Sequence, residues 1–136
     1  MKSVSELNKL KVRLFFEAVL NEGRLELIDE LVAADYLGHV PCAAAPVSGP
    51  EGVRRFVTSH RRDHPSLHIK IEDQIAEDDL VVTRWQATTT APGAQPANAC
   101  AGRITCCAGI SVVRLLAGKQ VDSRTEYTRL PSGVPP

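Results

Sequence analysis

The spacing of apolar residues changes once along the chain, near Leu67, and does not change back. Before that point they recur every three or four residues; after it they alternate. Helices gathered ahead of strands predict an α+β domain, with helices packed on an antiparallel sheet. No repeat and no linker-like stretch divides the chain. One domain is therefore expected over residues 1–130, followed by a frayed tail at 131–136.

The helical part resolves into three segments. Ser3 and Glu6 have the form of a capping box. Leu7, Leu10, Leu14 and Ala18 follow at helical spacing, widened by Val12, Phe15, Phe16 and Val19, so this first helix is expected to be largely buried. Gly23 should end it in a left-handed cap. A shorter helix buries Leu27, Ile28, Leu31 and Val32, and residues 35–41 and 43–49 then read as loop. Ser48 and Glu51 form a second capping box, with Pro50 in the first turn. The third helix sets Val53, Phe56, Val57, His60 and His64 on one side, and Pro65 stops it.

The alternating part contains at least four strands. Leu67, Ile69, Ile71, Asp73 and Ile75 share one face, and residues 77–79 make a hairpin turn into a strand at 80–90. Residues 91–102 are a loop rich in Ala, Pro and Gly. Strands at 104–116 and 120–128 are joined by Ala117-Gly118-Lys119. On the last strand Val121, Ser123, Thr125 and Tyr127 point one way, while Asp122, Arg124, Glu126 and Thr128 point the other. The hydroxyl-bearing face suits a pocket wall, and the ionic face suits water or a second subunit.

Composition narrows the function classes. The 136 residues carry 16 basic and 16 acidic side chains, a formal net charge of zero. No basic stripe is available to track phosphates, which argues against nucleic acid. No apolar run approaches the ~20 residues of a membrane span, and the N-terminus lacks an apolar signal core, so a cytoplasmic location is expected. Cys42, Cys100, Cys106 and Cys107 form no CxxC pair and have no His at metal-ligand spacing, so no metal is expected and the thiols are read as small hydrophobes. Adjacent Cys106 and Cys107 should point to opposite faces of their strand.

Several phrases occur in a telling order: NEG at 21–23, IDELV, DYLGHVP, GPEGVRRFV, LHIKIEDQIAEDDLVVTRWQATTT, GIS at 109–111 and GKQV at 118–121. Together they resemble the SnoaL-like polyketide cyclase (ester cyclase) family of the NTF2-like superfamily, over about residues 12–127. The resemblance implies a curved antiparallel sheet wrapped against helices into a cone whose interior is the ligand pocket. It implies homodimers formed through the outer sheet face. It also implies ring closure by intramolecular aldol condensation without metal or cofactor. In that family an Asp on the last strand is the acid/base, assisted by a His on the strand before it. At those positions this sequence has Thr125 and Ser111. A hydroxyl does not take a proton from carbon as a carboxylate does, so the framework is kept while its two signature groups are replaced.

Other residues must then supply the chemistry. His39, in the DYLGHVP loop where the family often has a His near the interior, and His60, on the inward stripe of the third helix, are candidate bases at neutral pH. Ser111 and Thr125 are candidate hydrogen-bond donors to a carbonyl or enolate oxygen. Phe16, Tyr36, Phe56, Trp85, Cys107, Ser123 and Tyr127 are the expected binding surface for a hydrophobic small molecule. Cys107 has no evident base to activate it as a nucleophile.

The reading is a cofactor-independent cyclase or isomerase acting on a polyketide-derived or aromatic compound. Two alternatives stand beside it. One is epoxide opening by Asp122, Arg124 and Glu126 or by Asp73, which requires a carboxylate in the pocket; a β-bulge near Ser123 would bring that about. The other is ligand binding without catalysis.

Overall fold

Ser3 starts the first helix as expected: its side-chain oxygen accepts from the Glu6 N–H at 3.1 Å, and α1 runs Val4–Leu14. The computed structural model describes residues 2–41, 43–90 and 103–131. The expected loop at 91–102, Cys42, Cys100 and residues 132–136 of the tail lie outside the described residues.

The inward stripe of α1 is Asn8, Val12 and Phe16, while Leu7, Leu10 and Leu14 remain 47%, 47% and 40% exposed. The expected stripe was therefore one position out of phase over the first three turns. The helix then widens into a π-helical segment, Phe15–Asn21. Such segments are uncommon and often lie beside functional sites. Here the segment sets Phe15, Phe16 and Leu20 against a cavity.

The segment ends as predicted at Gly23, with φ +74°, Gly23 N–H bonded to Val19 C=O and Arg24 N–H to Ala18 C=O. Arg61 from a later helix donates to the freed Leu20 and Asn21 carbonyls. A Cβ at Gly23 would lie 2.6 Å from Arg61 Nε, so any other residue there would push the guanidinium out of this position.

The second helix is shorter than predicted. A 3-10 turn, Leu25–Leu27, leads into α2, Ile28–Leu31, and the chain then extends as β1, Val32–His39. Residues read as loop thus form a strand. Ala33, Asp35 and Gly38 carry weak strand propensity; what makes them a strand is pairing with the far end of the chain. After β2, Val47–Ser48, comes α3, Gly49–Asp63. The expected second capping box is absent. Ser48 makes no side-chain cap bond, and Glu51 pairs with Arg54 instead.

The remaining strands are β3, His68–Glu77, β4, Leu80–Thr90, β5, Arg103–Leu116, and β6, Lys119–Arg129. They form one open sheet in the order β2-β1-β6-β5-β4-β3. All pairs are antiparallel except β1–β6, which is parallel, so the sheet is mixed. The β5–β6 turn is the two-residue Ala117-Gly118, both with positive φ, a geometry that matches strand twist. At the β3 edge, the Asn21 side chain donates to Ile69 C=O at 2.7 Å and accepts from Ile69 N–H at 2.8 Å. This amide stands in for a seventh strand and ties the π-helical segment to the sheet.

Three bulges break the simple alternation in β3, β5 and β6, and the β1–β6 pairing shifts register between Val32 and Leu37. Pairing of β3 with β4 skips Glu72, pairing of β5 with β4 skips Cys106, and pairing of β6 with β5 skips Val121. Each extra residue reverses the facing of the strand beyond it. After Glu72, Asp73 and Ile75 turn outward, and Gln74 turns inward to reach the Lys9 carbonyl and Thr83. The expectation that Asp73 shares an apolar face is thereby corrected. Its carboxylate is solvent-exposed and accepts from Arg84 Nε at 2.9 Å.

Candidate active site

A cavity of about 470 Å³ lies between the inner face of the sheet and the helices. That volume falls in the range of small-molecule sites. Its sheet wall is organised by a chain of hydrogen bonds. Trp85 Nε1–H donates to Ser111 Oγ at 3.1 Å, and Ser111 Oγ lies 2.8 Å from Thr125 Oγ1. The indole N–H can only donate, so Ser111 oxygen is an acceptor there. The two hydroxyls then share one bond between them and have one O–H left over. Ser111 is 4% exposed and Thr125 is half-buried, which makes Thr125 the end that opens to the cavity.

Two glycines let aromatic rings lie flat on this wall. A Cβ at Gly109 would sit 2.3 Å from the Trp85 ring, and a Cβ at Gly38 would sit 2.3 Å from the Tyr36 oxygen. Trp85 in turn meets Tyr127 at 6.4 Å between ring centres. Tyr36 hydrogen-bonds Ser123. Burial raises its phenol above the ordinary value, and the Ser123 bond offsets part of that rise. The phenol stays protonated at neutral pH.

Across the cavity, α3 presents Val53, Phe56, His60 and His64. The His60 ring stacks on Phe56 at 5.8 Å and 16°, and His64 follows at 5.6 Å. Burial is the main cause that lowers the His60 pKa, with His64 and Arg61 adding to it. His60 is therefore a neutral base at pH 7.

The rim holds Cys106 and Cys107 together. The bulge at Cys106 turns both thiols to the cavity, contrary to the expectation of opposite faces. Cys106 Sγ donates to Ala87 C=O at 3.4 Å. Burial, followed by the neighbouring Cys106, pushes the Cys107 thiol up to about 11, while the Arg129 guanidinium pulls the other way. The thiolate needed for nucleophilic attack is scarce at neutral pH. Among the described residues no three His, Cys, Asp or Glu side chains gather as a metal cluster.

The profile of the SnoaL-like polyketide cyclases matches residues 10–132. The chain belongs to the SnoaL-like polyketide cyclase family. Solved structures agree in fold. A SnoaL-like protein from Jannaschia sp. CCS1 shares 17% identity at a TM-score of 0.74, covering 93% of this chain and 89% of that one. IdmH from Streptomyces antibioticus shares 23% at 0.71, covering 88% and 91%. Bal32a, from a soil-derived mobile gene cassette, shares 19% at 0.72, covering 90% of each. No curated protein sequence matches the chain. Membership of the SnoaL-like family supports an enzyme of cyclase or isomerase type.

Within this SnoaL-like framework the residues singled out from sequence divide clearly. Phe16, Tyr36, Phe56, His60, Trp85, Cys107, Ser111, Ser123, Thr125 and Tyr127 all line the cavity. His39 does not. It ends β1 with its imidazole Nε2 4.0 Å from Asp122 Oδ1, on the ionic side of the sheet. Asp122, Arg124 and Glu126 are exposed, so β6 keeps its carboxylates outside. The bulge in β6 falls at Val121, ahead of this run, and leaves the facing of Thr125 and Glu126 as the alternation predicts.

The lining residues not singled out from sequence include Gln120, Cys106, Arg129 and His64. Gln120 and Cys106 are brought in by bulges, which no alternation rule reveals. Arg129 follows from carrying the Ser123, Thr125, Tyr127 series one step further, and His64 from weighing its place one turn after His60. Gln120 is only 3% exposed, and its amide nitrogen has no hydrogen-bond partner among the described residues.

Proposed function

We propose that this SnoaL-like protein is a cofactor-independent cyclase or isomerase of a flat, aromatic or polyketide-derived carbonyl compound. The observation that carries the reading is the Trp85–Ser111–Thr125 hydrogen-bond chain in an apolar cavity. The ligand stacks against Trp85 and Tyr127, and its carbonyl oxygen accepts from the free hydroxyl at Thr125. His60 removes the proton from the adjacent carbon. The developing enolate oxygen is stabilised by a donor already oriented before the reaction begins. The enolate carbon then attacks a second carbonyl or is reprotonated elsewhere, giving cyclisation or isomerisation.

The carboxylates that epoxide opening would need are not in the cavity. No Asp or Glu lines it among the described residues. We further propose that two copies associate through the outer sheet face, where Ile110 and Val112 are exposed.

Exchange of the α-proton of a flat aromatic β-ketoester for deuterium, followed by NMR, tests the chemistry. Thr125→Val should slow exchange by about 100-fold, the cost of losing one oriented donor. His60→Gln should slow it by at least about 100-fold, and His39→Ala should leave it unchanged. Unaltered rates in both Thr125→Val and His60→Gln would overturn the assignment.

A further inference from the structure

The charges around the cavity are one-sided. Its lining includes a guanidinium, Arg129, and two imidazoles, His60 and His64, but no carboxylate among the described residues. Arg129 forms no ion pair with any described residue. The remaining stretches of sequence cannot supply one from their own side chains, because residues 91–102 and 132–136 contain neither Asp nor Glu. Arg55, Arg61 and Arg124 also stand outside the ion pairs found among the described residues, but of these arginines Arg129 is the one that lines the cavity.

Geometry fixes where this charge acts. Arg129 stands opposite Cys107 in the β5–β6 register, and its field reaches the Cys107 thiol, which faces the cavity. It also lies on the same strand and the same facing as Thr125, four residues further along. Four residues of strand span about 13 Å, and an Arg side chain that leans back along the strand shortens the gap to roughly 8 Å. Between the two ends lie Tyr127 and Trp85, a surface for a flat ring system.

We propose that the cavity selects an anionic ligand, a flat carboxylic acid whose carboxylate is held by Arg129 at the rim while its carbonyl oxygen meets Thr125. The placement of the carbonyl rests on the function proposed above; the selection for negative charge does not. The acid is an elongated one, with its carboxylate on an outer ring and its carbonyl further along the fused ring system. A neutral ester of the same skeleton keeps the stacking and the carbonyl contact but gives Arg129 no counter-charge. A guanidinium can grip a carboxylate with two parallel bonds, so the preference is directional as well as electrostatic.

The chain's one tryptophan, Trp85, lies in the cavity wall, so quenching of its fluorescence reports occupancy directly. The probes are anthraquinone-2-carboxylate and its methyl ester, titrated into the full chain. The acid should bind about five- to tenfold tighter than the ester at low salt, with the gap narrowing as salt is added. Arg129→Gln should abolish that preference while leaving ester affinity unchanged, and Arg129→Lys should retain part of it. Arg129 is exposed, so neither change threatens the fold. Equal binding of acid and ester by the parent protein overturns the proposal, as does an undiminished preference in Arg129→Gln. Either result leaves the Thr125 and His60 assignments standing. If neither probe quenches Trp85, the proposal fails and the cavity reading fails with it.

Discussion

The imidazole of His60 lies between a phenyl ring and a second imidazole, and this placement governs when it can act as a base. Burial, then His64 and Arg61, favour its neutral form, while Asp63 opposes them weakly. Its folded pKa is depressed below the ordinary value of about 6.5. Just below that value the unfolded chain binds a proton that the folded chain refuses. Stability is thus present in full above about pH 6.5 and falls as pH drops through the folded pKa. In His60→Gln this part of the slope should vanish. Urea midpoints measured for parent and variant across that window should converge toward acid pH; parallel curves would show that His60 titrates alike in both states.

At the scale of elements, the helix and hairpin signals were legible because they are local. Ser3, Gly23 and the Ala117-Gly118 turn each act through their own backbone or a neighbour within a few residues. β1 was hidden because its stability comes from β6, about 85 residues later, and not from the propensities of Asp35 or Gly38. The bulges at Glu72, Cys106 and Val121 were hidden for a similar reason: an extra residue is a property of two strands together. The facing of Ser111 and Thr125 was readable because no bulge falls between Asp122 and Arg129, or between Cys107 and Arg114, in their pairing. Asn21 marks another non-local device. Asn21→Ala removes both bonds to Ile69 and leaves the edge of β3 without its partner. It should cost about 2 kcal/mol in urea unfolding, from two part-buried bonds of ~1 kcal/mol each. A loss below about 0.5 kcal/mol would show that water replaces the amide without penalty.

The whole molecule presents two contrasting sheet faces. The inner one is lined by aromatic rings, hydroxyls and thiols. The outer one intersperses Ile110 and Val112, 47% and 36% exposed, with Arg84, Arg124 and Glu126 from the adjoining strands. Apolar residues fringed by charges of both signs suit a symmetric contact, where each Arg can meet a Glu of the other copy. Light scattering should therefore find a dimer. Ile110→Glu combined with Val112→Glu should give a monomer with unchanged far-UV circular dichroism. A parent protein that is monomeric at every concentration would remove the outer face as an interface.

The bulge at Cys106 also bears on how such a cavity diversifies. Deleting that one residue would restore strict alternation in β5 and reverse the facing of Ile104 and Thr105 upstream of it. A gain or loss of three nucleotides could thus change which side chains of β5 lie toward the cavity beside Cys107, with no substitution at the lining residues themselves. In this architecture, chain length near the rim is itself a determinant of what the hollow accepts.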